Sequence, residues 1–267
     1  MAYQTILVSQ EDHIYRLTMN RPDRLNALNP TMNRETVQAL DEISRDREAR
    51  VLILTGAGRG FCAGGDMSGD EQGEDLYRAP TAESRRLGLR EGPPLIVRKL
   101  AAMEIPTIAM VNGAAVGAGF DVALACDLRV GSPAARFQVA FLRMGAVPAT
   151  GGCWLLPRIM GLSQAARYLF TADFLGAEEA HRLGVLDQVA PAEQLEAVTL
   201  GLAQRIASGP PIAVKLAKLL LYKGLDMTFD ASLEMAAACA TIAFASEDFQ
   251  EGVAAFRERR QAVFKGR

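Results

Sequence analysis

The sequence predicts an α/β fold that ends in a helical region, and three observations support this prediction. Short apolar runs typical of strands alternate with helical patterns in the first part of the chain. After about residue 160 the pattern is mainly helical, with breaks at glycine and proline. With 267 residues, 49% of them hydrophobic, the chain is long enough for a large core with a helical extension.

The N-terminal part predicts a hairpin, a helix and a buried strand. Residues 5–8 and 14–19 have the composition of short strands that pair as a hairpin. Residues 31–44 carry apolar side chains at helical spacing, and residues 51–55 form an apolar strand. A loop dense in glycine, GAGRGFCAGGD, follows at 56–66.

The most informative stretch is VNGAAVGAGFDVALACD, residues 111–127, which predicts a strand end, a turn of small residues and a helix over 118–125. The first turn of a helix has unsatisfied N–H donors, so residues 117–119 are suited to an oxygen anion. Asp121 lies one turn in, where desolvation would raise its pKa toward the range of a general base. Two alternatives remain, a turn that serves only close packing and an Asp121 bonded to nearby backbone.

The rest of the chain predicts loops and helices. Residues 68–80 are charged and suit a mobile lid, and 81–103 predicts one helix despite Gly88, Gly92 and the interruption at Pro93-Pro94. Residues 128–139 predict a strand, a turn and a second short strand, and 140–152 predict a loop. Within the C-terminal part, residues 235–245 are apolar around most of the helix, which indicates burial against another apolar surface, and another subunit is one candidate. The helical segments are 163–170, 177–183, 193–207, 211–223, 228–245 and 247–258.

Charge and motifs argue against several classes of function. The formal net charge is −2 with no basic stripe, so nucleic acid and membrane surfaces are unlikely main partners. No Walker pattern occurs, and GxGxxG would need glycine where Val122 stands. His13 and His181 lack a nucleophile or a second histidine at motif spacing, so we expect no metal site.

Cysteine use and hydropathy favour a cytoplasmic protein. The four cysteines lie in apolar or small-residue contexts without CxxC spacing, which predicts reduced thiols. The N-terminal residues do not resemble a signal peptide, and no stretch approaches the roughly 18 apolar residues of a membrane span.

Five segments, in order along the chain, resemble motifs of the crotonase superfamily, the enoyl-CoA hydratase/isomerase family. NRPDRLNAL at 20–28 resembles the CoA-binding loop, and GRGFCAGGDM at 58–67 and VNGAAVGAGFDVALACD at 111–127 resemble the two oxyanion loops. AFLRMGAVPATGGCWLLPR at 140–158 resembles the active-site segment, and QEGVAAFRERRQAVFKGR at 250–267 the family's ending.

The resemblance implies a crotonase-like spiral of ββα units with a C-terminal helical trimerisation region. On this basis residues 1–200 form the core with the acyl-CoA site, and 201–267 form the oligomerisation region of a homo-oligomeric trimer or hexamer. The implied partner is an acyl-CoA thioester. No cofactor is implied beyond the CoA that the substrate carries.

The resemblance also implies a shared chemistry, in which two backbone N–H groups hold the thioester carbonyl and stabilise an enolate-like anion. By position these donors are Gly65 and Ala118. Asp66 can also cap the following turn, and the charges of Arg24 and Lys265 suit CoA phosphates or solvent. The positions that match substrate- or CoA-binding residues are Arg24, Ala27, Ala63, Gly64, Asp66, Met67, Gly117, Phe141 and Lys265.

The sequence departs from the family pattern where the acids are expected. Hydratases of the family use two glutamates on opposite sides of a water; the matching residues here are Asp121 and Phe141. A phenylalanine cannot accept or deliver a proton. Some isomerases of the family carry an aspartate in the next loop, where this chain has Ala149, although 140–158 resembles isomerases of bacterial phenylacetate breakdown.

We therefore expect an acyl-CoA enzyme that isomerises or protonates a double bond with Asp121 as its sole acid and base. Hydration, hydrolysis and decarboxylation of an acyl-CoA are the alternatives within the family. A non-catalytic acyl-CoA binder is the alternative outside enzymes, and the missing second carboxylate favours it.

Overall fold

The computed structural model describes residues 3–68 and 81–267 and has a mixed α/β fold with two sheets. The strands in the described part are β1 (Ile6–Glu11), β2 (Ile14–Met19), β3 (Val51–Gly56), β4 (Gly60–Cys62), β5 (Thr107–Val111), β6 (Ala114–Val116), β7 (Leu128–Gly131), β8 (Arg136–Gln138), β9 (Leu175–Gly176) and β10 (Gln188–Val189). The helices are α1 (Pro30–Arg45), α2 (Ala82–Glu91), α3 (Pro93–Ala102), α4 (Ala118–Leu124), α5 (Gly152–Met160), α6 (Leu162–Thr171), α7 (Ala177–Arg182), α8 (Leu195–Ala207), α9 (Pro211–Gly224), α10 (Phe229–Phe244) and α11 (Glu247–Glu258). Short 3₁₀ helices lie at Pro22–Arg24, Ala140–Met144 and Ala192–Gln194.

From β3 to β8, successive strands alternate between the two sheets. The larger sheet has the order β1-β2-β3-β5-β7-β10, and the smaller one has the order β4-β6-β8-β9. The pairs β3–β4, β5–β6 and β7–β8 each place the first strand in the larger sheet and the second in the smaller. Helices follow each pair, so the chain advances in repeated ββα steps, as the sequence predicts. Only β1–β2 and β8–β9 pair antiparallel among the described strands.

Strand β3 shows how the larger sheet is buried on both faces. All six of its residues are buried. Leu52 and Leu54 pack into the main core with Phe61, whereas Val51 and Ile53 face the other side, where α8 contributes Leu195 and Ala203. Alternating residues of a strand point to opposite faces, so a continuous apolar run is required when both faces are covered.

Two predicted elements need correction. The single helix predicted over 81–103 is wrong, because Gly92 leaves the helical conformation and Pro93 starts a new helix, α3. The predicted loop 140–152 contains a 3₁₀ helix at Ala140–Met144, and α5 begins at its end. Residues 69–80 of the predicted lid lie outside the described residues.

The C-terminal helices expose much of their apolar surface in the single chain. No residue of α9 is buried, and Cys239 is the one buried residue of α10. Lys218 anchors α9 to the core, because its Nζ lies 2.7 Å from Asp127 Oδ2. No single helix of the described part is long and apolar enough to cross a membrane; α10 and α11 reach those limits only together, across a 77° bend.

The two glycine-rich loops pack backbone against backbone beside the smaller sheet. A Cβ on Gly119 would overlap the carbonyl oxygen of Cys62, and a Cβ on Gly64 would lie 2.7 Å from the carbonyl oxygen of Val116. A real Cβ does not approach a carbonyl oxygen this closely, so the loops can meet only without side chains at these positions. This contact sets the spacing of the two loops.

We predict that Gly119→Ala destabilises the protein by about 2 kcal/mol or more, since the added methyl group forces two backbones apart. Gly201→Ala is the matched control, because Gly201 is also helical and a Cβ there meets no atom within 4 Å. The control should leave stability unchanged or raise it by up to about 1 kcal/mol. Urea unfolding measures both, and equal stabilities of the two variants would contradict this account of the loop contact.

Candidate active site

The loop that carries Gly65 is held by a short pairing with the loop at 25–28. The N–H of Leu28 donates to the Gly64 carbonyl at 2.7 Å, and the N–H of Asp66 donates to the Leu28 carbonyl at 3.0 Å. In a parallel pairing of this kind the residue between the two bonds, Gly65, turns its own N–H away from the partner. Among the described residues no backbone carbonyl accepts from it. The Gly65 N–H is therefore available to a ligand.

The second predicted donor, Ala118, is the first residue of α4. Its N–H belongs to the first turn, where a helix supplies no acceptor. Gly117 precedes it at a φ of +53°, a conformation that favours glycine, and donates its own N–H to Gln138 O at 2.9 Å. The position of a Cβ on Gly64 lies 3.6 Å from Ala118 N. The structure thus brings the two predicted donor loops into direct contact.

Asp121 lies in the same turn of α4 and has no solvent-exposed surface. Its Oδ2 accepts a hydrogen bond from the Thr150 hydroxyl, whereas its Oδ1 has no hydrogen-bond partner among the described residues. A Cβ on Gly152 would overlap Oδ1, so the backbone at Gly152 lies directly against the carboxylate. The residue that the sequence indicated as the acid is therefore enclosed by the segment between the 3₁₀ helix and α5.

Burial raises the pKa of Asp121 to about 7, because a buried carboxylate loses the hydration that stabilises its charge. The Thr150 hydroxyl opposes this rise, and so does the N–H of Gly152, whose approach falls short of a regular hydrogen bond. No charged group of the described residues contributes to the shift. Asp121 can therefore take up and release a proton near neutral pH, as general acid–base catalysis requires.

Phe141 is the residue that the sequence motifs match to the second acid of the family's hydratases. It lies in the 3₁₀ helix at Ala140–Met144, half-buried, and packs against the main core. Its ring is 3.8 Å from the position of a Cβ on Gly117, next to the donor at Ala118. An apolar ring thus borders the candidate site where a second carboxylate would stand.

Asp66 and Arg21 hold the Gly65 loop in place. The carboxylate of Asp66 is 2.7 Å from Arg21 Nη1 and accepts from the N–H and the hydroxyl of Ser68. Arg21 Nη1 also donates to the Ala27 carbonyl at 2.6 Å. Asp66 thus caps the turn at Ser68, as the sequence predicts. Both of its carboxylate oxygens interact with groups of the protein itself. The sequence analysis did not single out Arg21.

The remaining predicted residues fall into two groups. Buried or half-buried positions in the two loops are Ala27, Ala63, Gly64 and Gly117, and exposed positions are Arg24, Met67 and Lys265. Arg24 ends the short 3₁₀ helix before the Leu28 loop. Lys265 belongs to the C-terminal tail, where its N–H donates to Asp248 Oδ1 at 2.6 Å. The single chain therefore places Lys265 on the C-terminal region, and its predicted CoA contact stays a prediction.

Comparison with known proteins identifies the family. The sequence profile of the enoyl-CoA hydratase/isomerase family matches residues 9–267. The chain is 37% identical over 265 residues to the 1,2-epoxyphenylacetyl-CoA isomerase of Escherichia coli K12, covering 98% of each chain. It is 36% identical over 267 residues to a probable enoyl-CoA hydratase of Rhodobacter capsulatus, covering 100% of each chain.

The fold comparison agrees with the sequence comparison. The crystal structure of a putative enoyl-CoA hydratase from Streptomyces coelicolor A3(2) matches with a TM-score of 0.93 at 34% identity, covering 100% of this chain and 96% of that one. The chain therefore belongs to the enoyl-CoA hydratase/isomerase family, which confirms the predicted fold and class of enzyme. Because the relatives include both hydratases and an isomerase, the reaction has to be argued from the site.

We predict that Asp121→Asn makes the protein's stability less dependent on pH. The folded pKa of about 7 lies above the ordinary 3.8, so between these values the folded state keeps a proton that the unfolded state has released. Wild-type stability should therefore fall as pH rises from 4 to 7, by at most roughly 4 kcal/mol from this group. Asparagine cannot ionise, so its burial adds no loss of stability as pH rises.

The measurement is urea unfolding of wild type and Asp121→Asn at pH 4, 6 and 8, with Asp173→Asn as the control because Asp173 is exposed. We expect the stability of Asp121→Asn to increase relative to the wild type as pH rises. The stability of Asp173→Asn should change with pH as that of the wild type does. A constant difference between Asp121→Asn and wild type at all three pH values would show that Asp121 is not held neutral by burial.

Proposed function

We propose that this protein moves the double bond of an enoyl-CoA, with Asp121 as its only acid and base and with the thioester oxygen held by the N–H groups of Gly65 and Ala118. The observation that carries the proposal is the buried carboxylate of Asp121, whose pKa no second carboxylate of the described residues affects. Asp121 has a pKa of about 7, and Phe141 stands where a hydratase of the family has its second acid.

The reaction follows from the properties of one carboxylate and two donors. The ionised Asp121 removes a proton from the α-carbon of a 3-enoyl-CoA, and the electrons of the C–H bond enter the enolate, whose charge lies on the thioester oxygen. Two backbone N–H groups stabilise that charge, each by a few kcal/mol. The neutral Asp121 then returns the same proton to the γ-carbon, which leaves the double bond between C2 and C3. Protons and electrons balance, so the proposal needs no cofactor beyond the CoA of the substrate.

Hydration fits this site less well. Adding water to a double bond requires a group that orients the water and takes its proton, in addition to the acid that protonates carbon. Phe141 has neither a donor nor an acceptor, and no other carboxylate of the described residues contributes to the pKa shift of Asp121. Asp121 is also cut off from bulk solvent, so an acyl chain must displace neighbouring side chains to reach it. Such exclusion of water favours transfer of a proton between two carbons.

We predict that Asp121→Asn lowers kcat for conversion of a 3-enoyl-CoA to the 2-enoyl-CoA by about 10²-fold or more, the usual scale for losing a general acid and base. Acyl-CoA affinity should stay the same, because asparagine keeps the shape of the side chain. Asp173→Asn again serves as the control and should keep full activity. Undiminished activity of Asp121→Asn would refute the assignment and direct the search to Asp70, Glu71 and Glu74 of the segment outside the described residues.

The reciprocal arm of this test uses Phe141→Glu, which restores the pair of carboxylates, with Phe141→Gln as the uncharged control of the same size. Only the glutamate variant should gain hydration of a short 2-enoyl-CoA. Rapid hydration of a 2-enoyl-CoA by the wild-type protein would show that it is a hydratase. Tight binding of acyl-CoA with no turnover of either substrate would make it a non-catalytic binder.

We propose in addition that the protein forms a homo-oligomer through its C-terminal helices. Phe229 and Leu233, one turn apart on α10, are 76% and 52% exposed, and Phe256 on α11 is 86% exposed. An apolar surface of this kind on a single chain is typical of a subunit interface. The family's trimers and hexamers, implied by the sequence motifs, assemble in the same region.

We predict that Leu233→Arg reduces the molar mass measured by light scattering after gel filtration, toward that of a monomer. Leu7→Arg is the matched control, because Leu7 on the edge strand β1 is 55% exposed but lies outside the C-terminal region. The control should keep the wild-type mass. A wild-type monomer, or an oligomer that both substitutions leave intact, would contradict assembly through α10.

A further inference from the structure

We propose that Thr150 is the positioning residue of Asp121: its hydroxyl holds Oδ2, so that the proton moved in the reaction is carried by Oδ1. This inference rests on the proposed function, because it concerns the same carboxylate. The two carboxylate oxygens of Asp121 then have different roles: Oδ2 accepts the hydrogen bond that holds the side chain, and Oδ1 carries the proton.

The two oxygens of Asp121 have different surroundings. Oδ2 accepts from the hydroxyl of Thr150, which is itself 5% exposed and lies 29 residues further along the chain. Oδ1 is equally buried but has no hydrogen-bond partner among the described residues. A buried carboxylate oxygen without a regular hydrogen bond is costly, and such an atom in a native structure calls for an explanation, of which a functional role is one. The N–H of Gly152 approaches the carboxylate without forming a regular hydrogen bond. Oδ1 is thus the oxygen left open for a substrate proton.

A second contact fixes the plane of the carboxylate. The Cα of Gly152 lies against Oδ1 so closely that a Cβ would overlap it. Thr150 holds one oxygen and Gly152 confines the other, and both belong to one short segment before α5. The carboxylate therefore cannot rotate to exchange its two oxygens without displacing this segment.

The hydrogen bond also decides where a proton resides. A hydroxyl that donates to Oδ2 lowers the tendency of Oδ2 to take up a proton, because the donor would have to rotate away. When a substrate C–H bond breaks, its proton forms the new O–H bond at Oδ1, and its electrons enter the enolate. The same O–H bond breaks when the other carbon is protonated. Thr150 keeps its own hydroxyl proton throughout and does not touch the reacting carbons.

The test compares Thr150→Val, which keeps the shape and removes the donor, with Thr150→Ser, which keeps the donor. The Asp121 carboxyl is titrated by ¹³C NMR in each protein, with its signal assigned by its loss in Asp121→Asn. Removing a hydrogen bond to the ionised form should raise the pKa of Asp121 in Thr150→Val by roughly one to two pH units. The rising limb of kcat against pH should move by the same amount, with a loss of about 5-fold to 50-fold at pH 7.

Thr150→Ser should restore the wild-type titration and keep kcat within about threefold. If Thr150→Val does not fold, Thr150→Ala supplies the same comparison. A variant without the hydroxyl that titrates Asp121 as the wild type does, even at a lower Tm, would make the role of Thr150 structural and overturn the inference. The titration needs no substrate, so its failure is distinct from failure of the proposed function, which Asp121→Asn decides.

Discussion

The burial of one carboxylate is the constraint on which the rest of this site depends. Asp121 stands in the first turn of a helix whose seven residues are all buried, and its desolvation brings its pKa to about 7. The same burial keeps bulk water from the group that moves protons. Under the proposed function, Asp121 passes a proton between two positions of a bound molecule, and its burial costs stability that grows as pH rises.

The backbone contact between the two glycine-rich loops serves that carboxylate. Gly64 and Gly119 let the loops approach until the N–H groups of Gly65 and Ala118 lie on neighbouring segments. Ala118 lies in the same turn of α4 as Asp121. The ion pair between Arg21 and Asp66, together with the hydrogen bond from Arg21 to the Ala27 carbonyl, stabilises the first loop. Donors that are fixed before the substrate arrives need no reorganisation when charge develops, which is why rigid packing here matters for catalysis.

The sequence was sufficient for the fold class, the hairpin and the glycine-rich loops, because each depends on local patterns or on motifs with fixed spacing. It also singled out Asp121, whose burial the structure shows and whose catalytic role stays a prediction. It failed at 81–103, where one helix was predicted across the interruption at Gly92 and Pro93, and the structure divides the segment into two helices there. It also gave no indication of Thr150, since nothing near a threonine in PATGG shows that its hydroxyl meets a carboxylate 29 residues away. The Arg21–Asp66 pair was missed for the same reason, as it joins two loops that are distant in the chain.

The central claim is that one shielded carboxylate carries the proton from carbon to carbon. The most direct measurement uses a short 3-enoyl-CoA deuterated at C2, converted in ordinary water and analysed by mass spectrometry and NMR for deuterium at C4 of the product. Because Asp121 has no solvent-exposed surface, we expect a substantial part of the deuterium abstracted from C2 to appear at C4. A product whose C4 hydrogen comes entirely from solvent, or no isomerisation at all, would contradict the account.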